Sequence, residues 1–110
     1  QNRTQIGAAI KLAMLASTIR MALYEAKMPF YVISPGQIKK YVTGKGNAPK
    51  SIIVREVFKR WGLEVKDDNQ ADACTLAFMA AALVDIPAEM PKFQEEVLTK
   101  VINDRPRFNV

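Results

Sequence analysis

The stretch at residues 29–36, PFYVISPG, decides how the chain is read. Phe30, Tyr31, Val32 and Ile33 are all aromatic or β-branched, Ser34 follows, and Pro29 and Pro35 stand on either side. An unbroken apolar run with high β propensity predicts a strand over residues 30–34, buried on both faces in a largely parallel sheet. The expected fold class is therefore α/β. A lone strand leaves its backbone groups without partners, and no second convincing strand occurs. Its neighbours are expected in upstream sequence or on another chain. The start at Gln1, with neither an initiator Met nor a leader pattern, reads as a cut.

Working outward, residues 4–26 are strong helix formers. Ile6, Ile10, Met14 and Met21 lie on one side and Leu12, Leu15, Ile19 and Leu23 on another, so a helix buried on two sides is expected, with Thr4 as its N-cap. Its longest apolar run, residues 6–23, is interrupted by Lys11 and Arg20, short of the roughly 18 apolar residues of a membrane span. A soluble chain without a membrane partner follows. Downstream, a short helical segment over 35–41 is followed by a loop over 43–48. Pro49 then opens a helix to about Trp61, with Ile53, Val54, Val57, Phe58 and Trp61 on one face and Gly62 as its terminator. A third helix begins near Asp68 or Asn69 and carries the small-residue run ADACTLAFMAAAL until Pro87 stops it. A last amphipathic helix spans 91–103. At 110 residues, 49% apolar and 25% charged, the chain makes a single domain, 1–110, and is neither disordered nor fibrous.

The chemistry concentrates in residues 37–50, QIKKYVTGKGNAPK. Residues 37–60 hold seven cations against Glu56, so this tract carries +6 of a net charge of +5 and the remainder sums to −1. Such concentration is the footprint of a phosphate-backbone binder, or else a solvated lysine-rich surface. A loop with Gly44, Gly46 and Asn47 between Lys39, Lys40, Lys45 and Lys50 offers backbone N–H groups and flexible cations to an anion. It is not a nucleotide-binding loop, because no GK[ST] follows and no GxGxxG is present. Asp68 and Asp72 lie four apart, and on a helix both carboxylates share a face and could hold Mg²⁺. Equally, Asn69 could cap the helix while Asp72 complements its dipole. With no histidine and one cysteine, Cys74, there are no His-based metal sites or triads and no internal disulfide. Cys74 reads as packing, and a reducing, cytoplasmic setting is expected.

The order of a hydrophobic strand, Pro, Gln-Ile-Lys-Lys and a Gly-x-Gly loop, followed by Ala-x-Lys, an amphipathic helix, Asn-Gln-Ala-Asp-Ala and a small-residue helix, resembles the C-terminal half of RuvC-type Holliday junction resolvases. The resemblance covers about residues 4–83. It implies an RNase H-like fold and Mg²⁺- or Mn²⁺-dependent cleavage of four-way DNA junctions by a homodimer formed through the helix over 4–26. By position it makes Asp72 the family's late catalytic carboxylate and metal ligand. Lys39 and Lys50 correspond to lysines near the scissile phosphate, with Gly44, Gly46 and Asn47 in the loop between them. Thr75 stands where family members often carry a second acid or a histidine, and Asp68, one turn before Asp72, is the candidate substitute. The family's first aspartate and later glutamate would lie upstream of Gln1, so this chain alone is expected to lack a complete two-metal site. The function expected is a structure-specific endonuclease, here incomplete. In it Asp72, Asp68 and Lys50 carry the chemistry, and Lys39, Lys40, Gly44, Lys45, Gly46, Asn47 and Lys50 bind DNA. The rivals are a non-catalytic DNA-binding or dimeric assembly module and a helical protein-interaction domain without a nucleic-acid role.

Overall fold

Ser34 begins a helix where the sequence predicts the end of a strand. Its hydroxyl accepts from Gln37 N at 3.2 Å, and its own N–H donates to Gln37 Oε1 at 2.9 Å, a reciprocal capping box. Pro35 occupies the first helical position, where its missing N–H costs nothing. In the computed structural model, which describes residues 3–107, the elements are α1 (Arg3–Glu25), α2 (Pro35–Thr43), α3 (Lys50–Trp61), α4 (Asp68–Val84) and α5 (Lys92–Asn103). No strand occurs among the described residues, so the α/β, RNase H-like expectation is corrected to an all-helical arrangement. The physical reason lies in residues 30–34. A strand exists by its ladder, and here the Ser34 N–H is taken by the Gln37 side chain while Ile33 packs sideways onto a helical core.

The described residues fall into two compact units, with one boundary in that same stretch, between Tyr31 and Val32, and the other between Asp104 and Arg105. The first unit contains α1. Met28 N donates to Leu23 O and Lys27 N to Tyr24 O, with Lys27 in the left-handed region at φ 55°, so α1 ends in a Schellman-type turn two residues before Pro29. The expected burial on two sides is not met, since Leu12 is 67% exposed, Met14 65% and Met21 63%. The Thr4 side chain, expected to cap α1, lies outside the described ones. Gln5–Glu25 has a mean hydropathy of 1.5, long and apolar enough by length and composition to cross a bilayer. Lys11, Arg20 and Glu25 do not bring its average below that mark, but one such helix is weak evidence of a span, because core helices and leader sequences meet the same test, and it does not overturn the expectation of a soluble chain.

The second unit, residues 32–104, is built around α2, which touches α3, α4 and α5, while α3 also packs on α4. A nine-residue helix is marginal alone. Its hold comes from burying Ile38, Tyr41 and Val42. One core joins Ile38 and Tyr41 to Met79 and Ala82 of α4 and to Val97, Leu98 and Val101 of α5. The other joins Val42 and Ala48 to Ile53, Val57 and Ala71. Trp61 stacks on Phe78 with ring centroids 4.3 Å apart, fastening α3 to α4. Gly62 terminates α3 at φ 68°, donating to Phe58 O at 2.8 Å. Phe58 itself is exposed, against the face assigned to it. On α4, Ala71, Thr75, Met79 and Ala82 are buried at helical spacing, whereas Ala73, Ala77, Ala80 and Ala81 of the small-residue run are not.

Candidate nucleic-acid and metal site

Three helices deliver the candidate side chains. Asp67, not Asn69, caps α4 by accepting from Gln70 N at 2.9 Å, which places Asp68 at the first helical position and Asp72 one turn on, on the same face. Lys50, the first residue of α3, brings Nζ to 3.5 Å from Asp68 Oδ2. Lys39, on α2, is close enough to act on Asp72. Burial and the Asp68 carboxylate push the Asp72 carboxyl above the ordinary carboxylate range, and the Lys39 charge opposes them. The arrangement thus gathers Lys39, Lys50, Asp68 and Asp72 from three separate elements. Since Lys50 is 79% exposed, its pair with Asp68 is worth at most about 1 kcal/mol. It leaves Lys50 able to follow another anion.

Asp68 and Asp72 are the carboxylates that could hold a divalent cation here. No group of three His, Cys, Asp or Glu side chains suited to a metal occurs among the described residues. What the chain offers is the sparse ligation Mg²⁺ accepts when water and substrate phosphate complete its shell, not a closed structural cage. Thr75 adds nothing to it, being wholly buried with its hydroxyl donating to Ala71 O at 2.8 Å. Cys74 packs against the second core.

The glycine loop differs from its expected form. Gly44 N donates to Lys40 O, Lys45 N to Thr43 Oγ1 and Ala48 N to Lys45 O, so three of its N–H groups are already engaged within the protein. The loop's offer to an anion is mainly its exposed side chains, Lys45 and Asn47. Gly44 sits in the left-handed region at φ 86°. A Cβ on Gly46 would lie 3.5 Å from Gly36 O, which folds the loop back on the start of α2. Lys40, next to Lys39 but turned about 100° away on the helix, pairs with Glu96 of α5 at 3.6 Å and does not join the carboxylates. A groove of about 620 Å³ along α5, lined by Met90, Glu95, Thr99 and Asn103 among others, contains none of the candidate residues.

Three residues at this site escaped the sequence reading. Gln94 is buried and donates Nε2 to Tyr41 O at 3.0 Å. Arg60 donates Nε to Val42 O at 2.6 Å and lies over the Phe93 ring, its Cζ 5.0 Å from the centroid. Phe93 in turn adjoins Gly44, its ring 3.7 Å from where a Cβ would stand. Arg60 left a signal as one of the cations in the basic tract, and Phe93 as an apolar position of the amphipathic helix over 91–103. The interhelical role of Gln94 has no local signature.

No family model matches the chain, and no solved structure matches it significantly. Among curated proteins it is similar to the crossover junction endodeoxyribonuclease RuvC of Brachyspira hyodysenteriae, with 32% identity over 74 residues. That alignment takes in 67% of this chain and 46% of the relative, so the chain spans about half the length of the curated relative it matches. The relationship is a partial, distant likeness to RuvC.

Proposed function

We propose that this chain contributes the helical part of a crossover-junction endonuclease that binds branched DNA and hydrolyses a phosphodiester. The observation that carries the reading is the convergence of Asp68, Asp72, Lys39 and Lys50 from α2, α3 and α4, in a chain partly similar to RuvC. In this reading Lys39, Lys40, Lys45, Asn47 and Lys50 meet the DNA backbone around Gly44 and Gly46. Asp68 and Asp72 together hold Mg²⁺ or Mn²⁺. When bound, such a cation supplies Lewis-acid chemistry and turns two carboxylates that would repel a polyanion into part of its binding site. Lys50, mobile and adjacent to Asp68, neutralises charge developing on the phosphate. The exposed apolar sides of α1 support pairing of two copies through that helix, and an intracellular setting follows from a DNA substrate.

Binding to a four-way junction, titrated with salt in EDTA, tests the DNA role. Lys39→Ala and Lys50→Ala should each lower affinity and flatten the salt dependence by about one unit of slope, while Asp72→Asn should leave binding in place. Affinity that does not fall with salt would sink the reading. Mg²⁺-dependent cleavage that Asp72→Asn abolishes separates the endonuclease from the alternative, a non-catalytic DNA-binding or assembly module.

A further inference from the structure

The C-terminal end of α2 is held by side chains from elsewhere. A helix leaves its last four carbonyls without intrahelical partners. Here the Lys40 carbonyl is taken by Gly44 N, the Tyr41 carbonyl by Gln94 Nε2 and the Val42 carbonyl by Arg60 Nε. Arg60 makes its bond through Nε, and its Cζ lies over the Phe93 ring, 5.0 Å from the centroid. The guanidinium is planar and has five N–H donors, and the bond to Val42 engages one. The residue is exposed, and none of the ion pairs among the described residues includes it. A guanidinium held by a hydrogen bond and a ring keeps its remaining donors, in the fork geometry that suits a phosphate, for an anion. The Phe93 ring lies 3.7 Å from where a Cβ on Gly44 would stand, so the ring that holds Arg60 adjoins the loop carrying Lys45 and Asn47.

We infer that Arg60, oriented by the Val42 carbonyl and the Phe93 ring, is a phosphate-backbone contact that extends the DNA surface past the glycine loop, toward the end of α3 away from Lys50. The inference rests on the DNA reading above and adds to it a residue and an orienting partner. Being pre-aimed, Arg60 loses less side-chain freedom on binding than a lysine on a free stem.

The experiment is a salt titration of four-way-junction binding by the full chain, with folding checked by circular dichroism. Arg60→Gln should reduce the slope of log K against log salt by about 0.9, the value for one phosphate no longer neutralised. Phe93→Leu keeps the charge, so the slope should hold while affinity falls several-fold. A merely structural Arg60 would lower thermal stability and leave the slope alone. If Arg60→Gln matches the parent slope while Lys50→Ala lowers it, the inference is overturned and the DNA reading stands. If the parent chain shows no salt-dependent binding, both fall. Should Arg60→Gln fail to fold, Arg60→Lys decides. Retained slope with several-fold weaker binding supports the inference, and unchanged affinity refutes it.

Discussion

Replacing Asp72 by asparagine should not weaken the metal-free protein at neutral pH. No ion pair among the described residues includes Asp72, and its carboxyl is pushed up by burial and by Asp68 one turn earlier. Two like charges at this spacing cost about 0.2–0.5 kcal/mol. Asp72 is also beyond the first turn, where the helix dipole would help it. Asp72→Asn should therefore raise stability by about 0.2–0.5 kcal/mol, or about 1–4 °C in Tm for a unit of this size. The sign with pH follows from linkage. A carboxyl whose folded pKa lies above its unfolded one binds more protons when folded. Its contribution to stability thus falls as pH rises from about 4, the unfolded value, through the raised folded value. The gain from Asp72→Asn should accordingly be full at pH 7 and vanish below about pH 4. Urea unfolding in EDTA at about pH 7 and about pH 3 measures it, on either side of that window, with Asp67→Ala as the contrast. Loss of the α4 cap should cost about 1 kcal/mol. Adding Mg²⁺ provides the second arm. At tenfold excess over its Kd a ligand adds about 1.4 kcal/mol, which the parent should gain and Asp72→Asn should not. An Asp72→Asn protein destabilised by more than about 1 kcal/mol in EDTA would refute the argument, for it would make the carboxylate a structural element.

Two further outcomes concern the frame around the site. Gln94→Ala should cost about 1–3 kcal/mol by thermal or urea unfolding, because it leaves the buried Tyr41 carbonyl without its donor. Met79→Ala, at a fully buried position where α4 meets α2 and α5, should cost about 2–5 kcal/mol in the same assay.

Much of the site was legible in the sequence because its signals are local. Charge concentration singled out residues 37–60. The Gly62 stop, the proline at the start of α2 and the helical register of Asp68 and Asp72 each depend on a few neighbouring residues. The failures share a different cause. Continuous apolar character at residues 30–33 says that a segment will leave water, not whether its backbone will find a ladder. The capping box between Ser34 and Gln37 draws the chain into α2 instead. Asn69 is one cap the sequence allows for α4, but Asp67 two residues earlier has the extended backbone that lets its carboxylate reach Gln70 N.

The sequence by itself determined five helical segments, a basic loop between two of them and a pair of carboxylates one turn apart, since propensity, capping and spacing act within a few residues. Tertiary structure alone decided that Lys50 would pair with Asp68 and that Lys39 would come near enough to act on Asp72, while Lys40 turned to Glu96. It alone set Gln94, Arg60 and Phe93 around the end of α2. Those interactions join residues up to 53 positions apart, and they form because buried carbonyls left over at the end of a helix must find donors wherever packing brings them.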